Sequence, residues 1–238
     1  MPCFGSLPSA VLATVGLNPS NREFVDLSGH ELQGEARRFH TLKSLGLDRW
    51  SEVKEEHLHS MSVYCQQYFW RNPYNLWFKR LEHLVSGISA SYYARSGTAC
   101  HLDLVPYATT SKWNTLKPFQ RSALSDAAGD TLGQLIRDSS IRILVLNGTS
   151  VARQFEELSD VPLKKTEHKS WALARASGTP VTGFSYEAMI HRFANVNLGR
   201  GVLVLGFNHN VQSSFGISAR VLSALRGWIA RKAKEPVQ

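Results

Sequence analysis

Residues Ile141–Leu146 read IRILVL and stop at the turn signal Asn147-Gly148-Thr149. Three other short runs share this form, because each is rich in leucine or β-branched residues and ends at an asparagine or a proline. They are Ala10–Leu17 (AVLATVGL), Cys100–Val105 (CHLDLV) and Val202–Phe207 (VLVLGF). Such nearly continuous apolarity is typical of strands that are covered on both faces, as in a parallel sheet.

Helical patterns occupy the segments between these runs. Apolar residues at helical spacing predict helices over Glu31–Leu45, Asn75–Val85, Arg121–Ile136 (with Ser122 and Ser125 as candidate caps) and Ile217–Ala233. The alternation predicts an α/β fold: a three-layer α/β/α sandwich with a central, mostly parallel four-stranded sheet. We expect residues 1–238 to form one domain. The segment Lys164–Arg200 is interpreted as strand, loop or short hairpin.

The composition is that of a basic globular protein. Of the 238 residues, 43% are hydrophobic and 19% charged, which excludes a disordered chain. The 27 Lys and Arg residues outnumber the 19 Asp and Glu residues, so the net charge is +8. This balance favours a polyanionic partner, of which nucleic acid is the first to consider, although a merely basic soluble protein has the same balance.

The three cysteines, Cys3, Cys65 and Cys100, are widely spaced and form no CxxC motif. This excludes a structural zinc site or a four-cysteine iron–sulfur cluster and fits a reducing compartment. The apolar runs are far shorter than a membrane span, and the first residues lack the basic start of a signal peptide. We therefore expect a cytoplasmic protein that does not contact a membrane.

Ligand sites of open parallel sheets lie beyond the carboxyl ends of the strands, which points to the loops after Leu17, Val105, Leu146 and Phe207. In the first loop, Gly16 lets the strand end approach another backbone, and Asn18 would face the crevice. In the last loop, His209 follows a buried strand. The alternatives are a plain turn at the first loop and a structural histidine in the last.

The motif Gly16-Leu17-Asn18-Pro19, together with a histidine loop before the final helix, resembles the uracil-DNA glycosylase superfamily. It is most similar to the mismatch-specific and single-strand-selective branches, which have Asn in the first motif. Leu102–Pro106 resembles the family's second strand, and Leu144–Val151 resembles its third strand with the start of the next helix. The resemblance implies a monofunctional enzyme without metal or cofactor that flips a base out of duplex DNA and hydrolyses its N-glycosidic bond, leaving an abasic site.

The same resemblance assigns roles to individual residues, and the chemistry of the side chains agrees with them. Asn18 would position the attacking water through its side-chain carbonyl, and His209 would donate a hydrogen bond to the departing base. Phe24 would stack on the base, with Phe39 as second choice, although both also suit ordinary core packing. Gly16 and Tyr107 complete the expected base pocket.

Two departures from the family pattern affect the expected substrate. The family's last motif continues with Pro-Ser and a bulky wedge, whereas His209 is followed by Asn210 and Val211, so Val211 or Gln212 would have to replace the wedge. The usual Asn of the second strand is replaced by Asp103, and an ionised carboxylate only accepts hydrogen bonds. Because cytosine offers an exocyclic amine, we expect a modified cytosine, such as glucosylated hydroxymethylcytosine of phage DNA, and a role in antiphage defence.

Further residues are expected to contact double-stranded DNA. Hydroxyl groups and amides at a helix start hold phosphates, and a basic final helix contacts the backbone, although simple capping and a solvated face are the alternatives. The predicted DNA contacts are Ser20, Thr149, Ser150, Val211, Gln212, Ser213 and Arg220.

His57 and His59 are interpreted as surface residues rather than metal ligands. We expect a monomer; the alternatives are uracil excision in repair, a non-catalytic DNA-binding module, and a glycan- or nucleotide-processing enzyme.

Overall fold

The computed structural model describes residues 3–72, 75–175, 178–212 and 217–235. Within them the protein is α/β, with a mixed seven-stranded sheet in the order β1-β3-β2-β4-β7-β6-β5. The strands are β1 (Cys3–Phe4), β2 (Leu12–Gly16), β3 (Ala99–Asp103), β4 (Ile143–Asn147), β5 (Lys164–Leu173), β6 (Val181–Phe193) and β7 (Val196–Phe207).

The prediction of a four-stranded sheet is wrong in the number of strands. The four apolar runs coincide with β2, β3, β4 and the second half of β7, and these strands pair in parallel as β3-β2-β4-β7. Antiparallel strands extend the sheet at both edges, β1 beside β3, and β6 and β5 beyond β7. The segment Lys164–Arg200, interpreted as strand, loop or short hairpin, contributes the long antiparallel strands β5 and β6 and the first part of β7. Strand β5 has no clear strand pattern in the sequence, because Trp171 is its only fully buried residue.

The described helices are α1 (Glu55–Gln66), α2 (Tyr68–Arg71), α3 (Leu76–Val85), α4 (Pro118–Ala128), α5 (Thr131–Arg137), α6 (Thr149–Ser159) and α7 (Ala219–Lys232). Two of them, α3 and α7, match predicted helices. Asn75 and Ser218 cap them by accepting hydrogen bonds from the backbone N–H groups of Trp77 and Val221.

The other two helix predictions need correction. The predicted helix Arg121–Ile136 is split into α4 and α5, because Gly129 takes a positive φ of 49°. Helix α4 begins at Pro118, so neither Ser122 nor Ser125 caps it. The segment Glu31–Leu45 contains only single 3-10 turns; Gly34 within it has a positive φ of 53°, which interrupts a continuous helix.

Helices cover both faces of the sheet. Alternate residues of each strand point to opposite faces, so Leu12 and Val145 pack with α3 and α7, whereas Val15 and Leu144 pack with α5 and α6. Among the described residues, no helix is long and apolar enough to cross a bilayer.

The carboxyl ends of the parallel strands meet at one edge of the sheet. Gly16 of β2 pairs in register with Asp103 of β3, and Asn147 of β4 pairs with Phe207 of β7. The loops that follow these residues therefore surround a common opening.

Candidate functional site

Two adjoining cavities lie at this carboxyl edge, and we call them together the cleft. The larger has a volume of about 810 Å³ and lies over β2 and β3. The smaller, of about 490 Å³, lies against the loops that follow β3, β4 and β7. Both are lined by the loop 16–20 and by Trp77, so this loop forms the wall that they share.

His101 and Asp103 line the larger cavity. Both are buried, with 2% and 8% of their surface exposed, and His101 Nε2 lies 3.6 Å from Asp103 Oδ1. Gly16 closes over them on the neighbouring strand. A Cβ atom on Gly16 would clash with Asp103 Oδ1 and lie 3.0 Å from His101 Nε2, so only glycine leaves this pair undisturbed. The predictions that placed Gly16 and Asp103 in one pocket therefore agree with the geometry.

The carboxamide of Asn18 has a fixed orientation in the cleft. Its Nδ2 donates to the carbonyls of Pro19 (3.2 Å) and Tyr107 (3.1 Å) and to Thr109 Oγ1 (2.8 Å). Thr109 Oγ1 donates its own proton to the carbonyl of Ser111 (2.7 Å), so it accepts from Asn18. Since all these partners take the NH₂ group, Oδ1 is left as the acceptor, which is the atom that water positioning requires.

The aromatic wall of the cleft differs from the predicted one. Trp77 lines both cavities, and its ring lies 5.2 Å from that of His101 in an edge-on arrangement. Phe24 instead packs against Phe39, with ring centroids 5.8 Å apart, and Phe39 stacks on Tyr68. The prediction that Phe24 stacks on the base is therefore corrected: Phe24 is partly buried against the core, Phe39 is buried within it, and neither lines the cleft.

The structure also places His209 elsewhere than the catalytic position that the sequence analysis predicted. Its side chain is buried, with 5% of its surface exposed, and it does not line the cleft. Its Nε2 lies 2.7 Å from the carbonyl oxygen of Trp171 in β5, so Nε2 carries the proton and donates it to the backbone. Burial lowers the pKa of His209, against the opposing effect of that hydrogen bond. A neutral imidazole that is bonded in this way has no proton to offer a departing base.

Other predicted contacts separate into those in the cleft and those outside it. Val211 is 1% exposed and belongs to the core under α7, so it cannot act as a wedge. The hydroxyl of Tyr107 donates to the carbonyl of Ala127, away from the cleft. Arg220 lies beside β5, in a separate hollow at the start of α7. Ser213 falls outside the described residues.

The remaining predicted contacts line the smaller cavity. Thr149 and Ser150 form the first turn of α6, directly after Gly148, whose φ is 102°. Ser20 also lines this cavity, and its Oγ accepts from the backbone N–H of Arg22. Gln212 Oε1 accepts from Asn147 Nδ2, which fastens the loop after β7 to the end of β4.

Several residues of the cleft were missed by the sequence analysis. His101 carried a usable signal, since residues two apart on a strand share a face and Asp103 was already assigned to the site. Leu76 and Trp77, at the start of α3, gave no such signal in the sequence, because α3 reaches the edge of the sheet through non-local packing. Leu76 lines the larger cavity and is 81% exposed.

Two arginines, Arg38 and Arg71, line the larger cavity together with the carboxylates of Glu23 and Asp103. Arg38 Nη1 is paired with Glu23 Oε1 at 3.1 Å. Arg71 lies over the ring of Tyr64, 4.0 Å from its centroid, and among the described residues its Nη1 is buried without a hydrogen-bond partner.

Within residues 3–72, 75–175, 178–212 and 217–235 there is no group of three or more His, Cys, Asp and Glu side chains that could hold a metal ion. The sequence matches no protein-family model, and no curated protein is significantly similar to it. A functional assignment therefore depends on the geometry and chemistry of the cleft.

Proposed function

We propose that this protein is a DNA glycosylase of the uracil-DNA glycosylase type, which takes an extrahelical base into the larger cavity and hydrolyses its N-glycosidic bond. The observation that carries the proposal is the convergence of Asn18, Asp103 and Trp77 on one cavity at the carboxyl edge of the parallel strands. These side chains offer a water-positioning carbonyl, a hydrogen-bond acceptor and an aromatic face, which are the groups that recognition of a flipped base requires.

The reaction develops positive charge on the sugar and negative charge on the departing base. Asn18 Oδ1 would hold the attacking water, and its orientation is set by the bonds of Nδ2 to the loop after β3. Since His209 is buried elsewhere, the charge of the leaving base needs another partner. Arg71 suits this role, because it lines the same cavity and its guanidinium keeps a positive charge that would stabilise the anionic base.

The size and polarity of the larger cavity favour a modified cytosine. Its volume of about 810 Å³ lies in the upper part of the range for drug-sized ligands, far beyond the need of a bare pyrimidine. The carboxylate of Asp103 suits the exocyclic amine of cytosine, and Asn72 and Asn75 line the same space. A cytosine with a bulky polar substituent, such as a sugar, fits these features, and its occurrence in phage DNA would make the enzyme a defence factor.

Three features favour duplex DNA as the partner. The net charge of +8 favours binding to the phosphate backbone. Leu76, exposed at the rim of the larger cavity, is an apolar group of the kind that fills the gap left by a flipped base. Thr149 and Ser150 would receive a phosphate at the start of α6.

The test is a glycosylase assay on duplexes that contain uracil, cytosine, hydroxymethylcytosine or glucosylated hydroxymethylcytosine, with alkali cleavage to report abasic sites. We expect cleavage at the modified cytosines only, and Asp103→Asn should shift the preference toward uracil. Asp126→Asn, an exposed position on α4, is the matched control. Cleavage by the wild type at uracil alone would indicate repair instead of defence.

A non-catalytic DNA-binding module is the second candidate, and the burial of His209 favours it, because a residue expected to act in catalysis is unavailable. Salt-dependent binding to all four duplexes without any abasic product would support the module and contradict the glycosylase.

A further inference from the structure

A chain of three buried polar side chains lies behind the larger cavity. The hydroxyl of Tyr92 is 2.6 Å from Thr14 Oγ1, and Thr14 Oγ1 is 2.8 Å from His101 Nδ1. Each of the three residues exposes 2% of its surface or less. The chain ends at the cavity, where His101 Nε2 faces Asp103 Oδ1 at 3.6 Å.

The direction of the protons along this chain follows from its first member. Burial raises the pKa of the Tyr92 hydroxyl, so the phenol keeps its proton. Thr14 is the hydrogen-bond partner of that hydroxyl among the described residues, and a buried donor needs an acceptor. Thr14 therefore accepts from Tyr92 and uses its single proton to donate to His101 Nδ1. A neutral His101 then carries its proton on Nε2, the nitrogen that faces Asp103.

The alternative tautomer would disturb the cavity. With the proton on Nδ1, the lone pair of Nε2 would face the lone pairs of Asp103 Oδ1. An N–H at Nε2 is instead attracted to that oxygen, although 3.6 Å is too long for a hydrogen bond. Since the surroundings are buried, this difference is screened little by water.

We propose that Tyr92, Thr14 and His101 are positioning residues that fix the Nε2–H tautomer of His101 and thereby present Asp103 to the ligand as a pure hydrogen-bond acceptor. The chain would thus determine specificity for bases with an exocyclic amine over bases with a carbonyl at the same edge. The specificity part depends on the proposed glycosylase function, whereas the tautomer part does not.

The tautomer is measured directly by ¹⁵N–¹H correlation spectra of the imidazole nitrogens in the full-length protein. The protein has nine histidines, so His101→Gln assigns the signals of His101. We expect an acceptor nitrogen at Nδ1 and a protonated Nε2 in the wild type. Thr14→Val keeps the side-chain shape but removes the hydroxyl, and it should yield a mixed or reversed tautomer, whereas Thr14→Ser should restore the original one. Thr166→Val, an exposed position on β5, is the control.

The second readout is the ratio of kcat/KM for a modified cytosine to kcat/KM for uracil. Thr14→Val and Tyr92→Phe should each lower this ratio about tenfold, the size of one well-formed base contact. Thr14→Ser should keep the ratio of the wild type. If Thr14→Val does not fold, Tyr92→Phe serves as the test variant in its place. An unchanged tautomer in Thr14→Val, or an equal loss of activity on both bases, would overturn the proposal. A wild type that releases neither base would refute the glycosylase function and with it the specificity claim, while the spectra still decide the tautomer.

Discussion

The loop after β2 and the loop after β7 look alike in the sequence, but the structure places their predicted catalytic side chains in different environments. Both follow a buried strand, both begin near an asparagine, and both lie at the carboxyl edge of the sheet. Asn18 of the first loop lines the cleft, with its amide held by the loop after β3. His209 of the second loop is buried and bonded to the carbonyl of Trp171.

The difference arises from the neighbours of the two strands. Strand β2 lies between β3 and β4, which run parallel to it and end at the same edge, so its loop opens into shared space. Strand β7 has β4 on one side and the antiparallel strands β6 and then β5 on the other. The backbone carbonyl of Trp171 in β5 accepts a hydrogen bond from His209. A polar residue after a buried strand is therefore a site candidate only where no adjacent strand takes up its side chain, as β5 takes up that of His209.

The largest expected effect is the difference in activity between a substitution in the first loop and one in the second. Under the proposed glycosylase function, Asn18→Ala should lower kcat/KM about 100-fold, because the attacking water would lose its positioning group. His209→Ala should leave kcat/KM close to that of the wild type, because its side chain is outside the cleft. Glycosylase kinetics on the preferred duplex check both, and a large loss in His209→Ala would break the comparison.

Gly16→Ala tests how closely the first loop is fitted to the site. The added Cβ would clash with Asp103 Oδ1 and press on His101, so activity should fall about tenfold and the free energy of unfolding by about 1–3 kcal/mol. Gly227→Ala in α7, where a Cβ meets open space, should instead raise stability by about 0.5–1 kcal/mol. Urea unfolding and the duplex assay measure the two effects, and a Gly16→Ala protein with wild-type activity would contradict the described packing.

Leu76→Ala sharpens the comparison, because the sequence suggested a wedge in the loop after β7 and the structure has an exposed leucine at the start of α3. We expect the rate on duplex DNA to fall about tenfold relative to single-stranded DNA, since only the duplex requires the base to be unpaired and unstacked. Leu27→Ala, at a position that is 88% exposed and does not line the cleft, is the matched control. Equal losses on both substrates would exclude a wedge role.

The smallest expected effect concerns pH and the second loop. Burial lowers the pKa of His209 below its ordinary value of about 6.5, so the folded protein favours the neutral imidazole. The unfolded chain then binds more protons, and stability falls as the pH drops from about 6.5 through the lower folded value. His209→Gln keeps a donor for Trp171 without titrating. Its unfolding free energy should depend less on pH over this range, and an unchanged dependence would contradict the assignment.

Some of the fold was predictable because burial on both faces leaves a mark in the sequence. Strands β2, β3 and β4 are almost wholly buried, so most of their residues are apolar. Strand β5 is largely exposed and helix α1 has no fully buried residue, so neither has a pattern that distinguishes it from a surface segment. The segment Glu31–Leu45 shows the reverse error, since its apolar residues recur at helical spacing but the chain forms only single 3-10 turns, and Phe39 is its one fully buried residue.

The sequence by itself determined the parallel strands and the meeting of Gly16, Asn18 and Asp103 at one edge, because parallel strands that pair in register must end together. Only the tertiary structure decided that His209 serves the core and that His101, Trp77 and Leu76 serve the cleft. The physical reason is that the environment of a loop side chain depends on the strand or helix that packs beside it. That strand or helix is distant in the chain, so the residues that flank the loop in the sequence carry no information about it.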